Sequence, residues 1–294
     1  MPSPLPSIRT FSPPAPACIG DRLRRIQHVA LDMDGTIYCG DTLFNFTNPF
    51  LALLSRLDIG YTLLTNNSSK SVEDYIVHLR KLGIHVTRDQ LYTSTQATIE
   101  FLQEEMPLAR RVFLLGTESM GREIAAAGFT LCADHAGDEP DAVLVGFDTG
   151  LTYSRLCRAA YWIKRGKPFI ASHVDRVCPT DEPTVLVDCG AVCAALKAAT
   201  GRGPDAVLGK PDPRMLRDLL QRHELRPENL AMVGDRLYTD MAMAERASAL
   251  GILVLTGEAT AQEAAQHMPP LDLIVPDIAR LGELLMAARN GERE

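Results

Sequence analysis

Gln27-His28-Val29-Ala30-Leu31 runs directly into Asp32-Met33-Asp34-Gly35-Thr36. The first half reads as a short buried strand. The second sets two carboxylates and a turn-forming glycine at that strand's carboxyl end. The pattern of apolar run followed by polar cluster recurs twice. Tyr61–Leu64 precedes Thr65-Asn66-Asn67-Ser68-Ser69, and Leu230–Val233 precedes Gly234-Asp235. Further apolar runs, at Val112–Leu115, Ala142–Phe147, Phe169–Ser172, Ile252–Leu255 and Leu271–Val275, are separated by helix-length amphipathic stretches. Ser71-Val72-Glu73-Asp74 starts a helix with Gly83 just past its end, and Thr93 to Gln96 has capping-box spacing. Asp212-Pro213 suits an N-cap followed by the first helical residue. This rhythm predicts an α/β fold with a doubly wound, parallel-sheet (Rossmann-like) core. Residues 91–205 carry strands and helices of their own and read as a second α/β domain, inserted into a core made of 21–90 and 206–294. Residues 1–20, with six prolines among the first sixteen, read as a mobile tail.

The chain's 294 residues fit about two domains. Thirty basic against 37 acidic residues leave a net charge of −7, and no Lys/Arg-rich run interrupts that balance. Non-specific binding to nucleic acid or to an anionic membrane is therefore not expected, whereas a local basic pocket for a small phosphorylated molecule is still allowed. No apolar run approaches the ~20 residues that cross a bilayer. Seven scattered cysteines without a C-x-x-C pair read as reduced thiols, most of them buried, in a cytoplasmic protein.

In sheets of this class ligands bind beyond the carboxyl ends of the strands. Asp32 and Asp34, two residues apart at such an end, would repel each other unless a divalent cation sits there. Asp235, at the end of another strand, completes an oxygen shell suited to Mg²⁺. Thr65 and Asn66 offer a hydroxyl, an amide and backbone N–H groups to phosphate oxygens. Lys210, in Gly209-Lys210-Pro211, adds a positive charge that stabilises a transferring phosphoryl group. A carboxylate nucleophile, a metal, neutral donors and one lysine together indicate phosphoryl transfer. Gly201 to Ala206 matches a loose dinucleotide-binding pattern, but it follows a helix and precedes a strand, the reverse of what that turn requires.

These four clusters resemble the motifs of the haloacid dehalogenase-like hydrolases, and within them the branch of sugar-phosphate, 4-nitrophenyl-phosphate and phosphoglycolate phosphatases. The resemblance runs from about residue 27 to 290 and includes Val145-Gly146-Phe147-Asp148 with Thr152-Tyr153. It implies that Asp32 attacks phosphorus and forms an aspartyl-phosphate, and that Asp34 is the acid and base. It implies that Thr65 and the Asn66 N–H hold phosphate oxygens, with Asn67 and Gly35 beside them, and that Lys210 orients Asp32. Mg²⁺ would be bound by Asp32, the Asp34 carbonyl and Asp235, with Asp240 as outer partner. The inserted segment would be a cap that closes over the substrate. Where the branch has Ala-Thr-Asn-x-Asp this chain reads Ala171-Ser172-His173-Val174-Asp175, so His173 and Asp175 are the expected substrate contacts. The branch also turns on a Gly-x-Gly-like pair where this chain reads Asp188-Cys189-Gly190. Members of the branch are often homodimers, and the resemblance carries that expectation here. Carbon–halogen hydrolysis needs neither Asp34 nor Asp235. A phosphosugar mutase and a non-catalytic phospho-ligand-binding protein stay as alternatives, although the latter would not need Asp32.

Overall fold

Residues 18–178, 180 and 183–291 are described by the structure, a computed structural model. The expected Pro-rich tail therefore falls outside the described residues up to residue 17. Its end is corrected, because a helix over Ile19–Arg25 already begins inside it.

Six parallel strands form the core sheet, in the order Leu273–Val275, Leu250–Val254, Leu230–Gly234, His28–Asp32, Gly60–Thr65, Leu91–Thr93. From His28–Asp32 the chain winds outward in one direction through Gly60–Thr65. It returns to the other side of the same strand at Leu230–Gly234. The switch point thus lies beside Asp32, where such sheets open a crevice. All residues of His28–Asp32, Leu230–Gly234 and Leu250–Val254 are buried, as a sheet covered on both faces demands. The two faces divide neighbouring residues. Leu63 joins Phe50, Leu54, Leu281 and Leu285 on one side. Leu64 joins Met215, Leu216 and Met232 on the other. Each fully buried leucine contributes about 2–3 kcal/mol by leaving water.

A second parallel sheet has the order Ala206–Val207, Phe169–Ala171, Ala142–Val145, Arg111–Leu115, Thr130–Leu131. It corresponds to the inserted segment, but its limits differ from the expected 91 and 205. Leu91–Thr93 pairs with Leu63–Thr65 and belongs to the core sheet. Ala206–Val207 pairs with Ile170 and Ala171 and belongs to the cap sheet. Strands of two or three residues carry too little periodicity to declare which sheet will complete their hydrogen bonds. One apolar cluster also runs through both units, joining Leu64 and Met232 of the core to Val112, Leu144 and Ile170 of the cap.

The capping expectations at Ser71 and Thr93 are met. Ser71 and Asp74 exchange hydrogen bonds at the start of Val72–Lys81, as Thr93 and Gln96 do at the start of Ser94–Glu105. Asp212-Pro213 is corrected by one position. Pro213 precedes a helix over Arg214–Arg222, and Asp212 Oδ1 accepts from Arg214 N at 2.9 Å. The cysteines are all free, yet only Cys189 and Cys193 are buried.

Candidate active site

Register brings the clusters to one sheet edge. Asp32 pairs with Leu64, one residue before Thr65, and Leu31 pairs with Val233, two residues before Asp235. Past Asp32 the backbone turns through Gly35 at φ +86°, a left-handed value that favours glycine. A Cβ there would also stand 2.5 Å from Asp235 Oδ2, so the bare backbone lets the two acidic segments approach. The Gly35 N–H donates to Tyr38 O at 2.8 Å and its carbonyl accepts from Thr256. Its place is therefore in the turn that seats Asp235, the sharp turn expected of it beside the site.

Lys210 is buried between Asp32, to which its Nζ is hydrogen-bonded, and Asp240, whose Oδ1 lies 2.7 Å away. Burial alone would lower its pKa; the carboxylates of Asp240 and Asp32 outweigh that and hold it above the ordinary lysine value. Asn66 fixes the lysine's backbone, its Oδ1 accepting from Lys210 N at 2.7 Å and its Nδ2 donating to Lys210 O at 3.0 Å. Thr65 Oγ1 accepts from Asn67 N at 3.1 Å, and Asn67 Oδ1 accepts from Ser69 N at 2.9 Å, giving the loop a fixed curl. Asp240 is held in a wide helical turn over Leu237–Met241, where its Oδ2 accepts from Arg236 N at 3.0 Å.

Ligand oxygens of Asp32, Asp235 and Asp240 lie within 4.8 Å of one another, all buried. Asp235 Oδ2 accepts from Glu258 N at 2.6 Å, while its buried Oδ1 has no hydrogen-bond partner. Burial, followed by the neighbouring Asp32 and Asp240 carboxylates, raises the Asp235 pKa well above the usual range. Three crowded carboxylates with one orphaned oxygen fit a hard divalent cation such as Mg²⁺.

The cap closes the site. Asp32, Asp34, Thr65, Asn66, Asn67, Lys210 and Arg236 face Asp175, Val177, Cys178 and Asp188 across a space of only about 40 Å³. That is room for a few water molecules. Arg236 bridges the two sides, 3.5 Å from Asp175 Oδ2 and 2.9 Å from Glu258 Oε2. Asn66 Nδ2 reaches Asp175 Oδ1 at 3.3 Å. Asp175 thus faces the cleft. His173 does not: it is 1% exposed and lies behind that wall, its Nε2 3.5 Å from Ser68 Oγ. Ser68 Oγ also accepts from Phe147 N at 2.9 Å, tying the phosphate loop to the end of a cap strand. Arg236, Asp188 and Ser68 were not among the expected site residues. Ser68 lay inside the Thr65–Ser69 cluster and Arg236 one step past Gly234-Asp235, with no signal to single them out, while Asp188 lay in the segment that departs from the branch.

Family models agree with this geometry. "Haloacid dehalogenase-like hydrolase" matches residues 29–130 and "HAD-hydrolase-like" matches 207–281. The D-glycerol 3-phosphate phosphatase of Mycobacterium tuberculosis is 34% identical over 239 residues, 81% of this chain but 65% of that protein, slightly less than two thirds of its length. Among solved structures, 4-nitrophenylphosphatase of Thermotoga maritima superposes with TM-score 0.83 at 36% identity, covering 89% of this chain and 98% of that one. The glycerol phosphate phosphatase of Mycobacterium tuberculosis in complex with magnesium gives 0.81 at 32% identity, covering 89% and 78%. With its four strand-end clusters assembled around Asp32 and a cap sheet above them, this chain belongs to the haloacid dehalogenase-like hydrolases.

Proposed function

We propose that the protein is a Mg²⁺-dependent phosphatase that hydrolyses small phosphorylated metabolites through an aspartyl-phosphate on Asp32. The observation that carries this reading is Asp32 itself, buried at the switch point, paired with Lys210 and facing Thr65, Asn66 and Asn67. One carboxylate oxygen of Asp32 attacks phosphorus as the bond to the leaving oxygen breaks, and Asp34, half-buried on the cleft, gives that oxygen its proton. Asp34 then takes a proton from water, which attacks the same phosphorus, breaks its bond to Asp32 and releases phosphate. Thr65 and the Asn66 amide hold phosphate oxygens, and Lys210 offsets the charge that builds on them. Asp32 and Asp235, backed by Asp240, would hold Mg²⁺, which supplies charge neutralisation and orientation to the phosphoryl group. The cap, closed to about 40 Å³, excludes bulk water from the reacting atoms.

A substrate of this kind needs neither nucleic acid nor membrane, and no helix among the described residues is long and apolar enough to cross a bilayer. The seven free cysteines support a reducing, cytoplasmic setting. Homodimerisation is part of the same reading, and sedimentation velocity tests it. The decisive experiment is phosphate release with Mg²⁺ across sugar phosphates, glycerol phosphate, phosphoglycolate, nucleotides and 4-nitrophenyl phosphate, beside Asp32→Asn. Activity lost in the variant is the expected result. Product isomerisation without phosphate release would instead identify a mutase.

A further inference from the structure

Between the strand Phe169–Ala171 and the helix Cys189–Thr200 the cap supplies one wall of the cleft. Residues 173–188 hold four acids, Asp175, Asp181, Glu182 and Asp188, against one arginine and no lysine. That arginine, Arg176, is exposed and does not line the cleft. Asp175 and Asp188 do line it, and one carboxylate oxygen of each lies within 4.8 Å of the other. The backbone fixes them side by side. Gly190 N donates to Asp175 O at 2.7 Å, and Asp188 N donates to Arg176 O at 3.0 Å. A Cβ on Gly190 would stand 2.1 Å from Val174 O, so only glycine lets the helix start press against the 173–175 loop. The Asp188 side chain caps that helix, its Oδ1 accepting from Cys189 N at 2.5 Å.

The cations near this wall are already committed. Arg236 lies 3.5 Å from Asp175 Oδ2 and 2.9 Å from Glu258 Oε2. His173 sits behind the wall, its ring nitrogens 3.7 Å from Asp175 Oδ2 and 3.5 Å from Asp188 Oδ1. Lys210 is held by Asp32 and Asp240 at the phosphate end. Among the described residues on the leaving-group side, Asp34, Asp175 and Asp188 therefore face one arginine, which Glu258 shares. Burial raises the Asp188 pKa although His173 pulls it down, so the nearby cations do not fully offset the cost of burying that acid. A second anion brought into about 40 Å³ of cleft would meet both wall carboxylates where water screens them little. Hydroxyl and ammonium groups, by contrast, donate hydrogen bonds to carboxylates.

We propose that the substrate's leaving group carries hydroxyl or ammonium groups and no second negative charge. Phosphorylated polyols and amino alcohols are accepted, phosphorylated acids are refused, and Asp175 and Asp188 make the distinction. The inference rests on the phosphate subsite of the proposed phosphatase, and its test reads binding separately from turnover.

Two matched pairs of compounds isolate the charge. Glycerol 3-phosphate and 3-phosphoglycerate share a three-carbon chain and its central hydroxyl, and 2-aminoethyl phosphate and phosphoglycolate share a two-carbon chain. Each is titrated calorimetrically into the full-length Asp32→Asn chain with Mg²⁺, and kcat/KM for each is measured on the wild type. The neutral or cationic member of each pair should bind at least ~20-fold more tightly than the acid, with kcat/KM in the same order. Asp188→Asn and Asp175→Asn each remove one charge and keep a hydrogen-bonding amide, and in both that ratio should shrink several-fold. A merely structural role would weaken both members of a pair alike and leave the ratio untouched. The same binding preference without phosphate release would sink the phosphatase reading alone. Equal binding within the pairs, tighter binding of the acids, no binding of any compound, or an unchanged ratio in both folded variants overturns the inference.

Discussion

Asn66 and Lys210, 144 residues apart in the chain, hold each other's polar groups in a reciprocal pair of hydrogen bonds, 2.7 Å from Lys210 N and 3.0 Å to Lys210 O. The phosphate loop thereby sets where the lysine begins, and Asp32 and Asp240 set where it ends. Asn66→Ala should lower kcat by on the order of 100-fold through the displaced ammonium. The two orphaned backbone groups should cost about 1–3 kcal/mol in thermal unfolding. Wild-type kcat in Asn66→Ala would show that the lysine needs no such anchor.

Lys210→Met presents a harsher case. It leaves Asp32 and Asp240 buried without their cation, a loss of about 3–5 kcal/mol where one partner of a buried ion pair is removed. Denaturant melts should register it at neutral pH and less in acid, where Asp240, whose pKa burial raises, takes up a proton and loses its charge. Equal destabilisation at every pH would point to lost packing instead.

Chelation should abolish phosphate release and Mg²⁺ should restore it. Without metal, Asp235 carries a raised pKa, so the folded state holds its proton longer than the unfolded state. Metal-free stability therefore falls as pH rises from the unfolded carboxylate pKa through the folded one, and Mg²⁺ relieves that loss. The Mg²⁺-induced rise in Tm should grow with pH over that window. Asp235→Asn should make the metal-free protein more stable while removing activity, and a less stable variant would contradict this reading of Asp235.

His28 provides a titration far from the chemistry. Burial and then His223, stacked on it at 4.2 Å, lower its pKa to about 4, and Thr62 Oγ1 lies 2.9 Å from its Nε2. The unfolded chain takes up this proton first, so stability is intact above about 6.5 and is lost as pH falls toward 4. The full effect is about 3 kcal/mol, since each unit is worth about 1.4. His28→Gln should flatten stability between pH 6.5 and 4, read from urea melts.

Asp175→Ala removes the cap's bond to Asn66 and its ion pair to Arg236. Its KM values should spread differently across the substrate panel, while single-turnover chemistry on 4-nitrophenyl phosphate survives. Unchanged ratios of kcat/KM across the panel would take Asp175 out of leaving-group selection.

Much of this was legible in the chain. Apolar runs that end on Asp32, Thr65 and Asp235 mark strand ends because a covered parallel sheet tolerates polar residues only where its strands stop. What escaped has physical reasons. Leu91–Thr93 and Ala206–Val207 exchange the expected domains because pairing partners, not periodicity, place so short a strand. His173 follows a strand in a loop, where no repeat tells whether a ring points to solvent or inward. Arg236 reaches the cap from the residue just before the wide turn over Leu237–Met241, and that turn leaves no mark in the residue pattern.

The apolar cluster shared by Leu64, Met232, Val112, Leu144 and Ile170 has a consequence for how substrate enters. A lid swung wide on a hinge would have to tear that common oil layer and wet several leucines at once, at about 25 cal/mol for every Å² uncovered. The affordable motion is a shallow slide of packed elements over one another, which parts the polar rim at Asp175 and Arg236 and leaves the greasy joint sealed. On that geometry admission would be by aperture, and a leaving group too bulky for a narrow slot would be refused before chemistry begins.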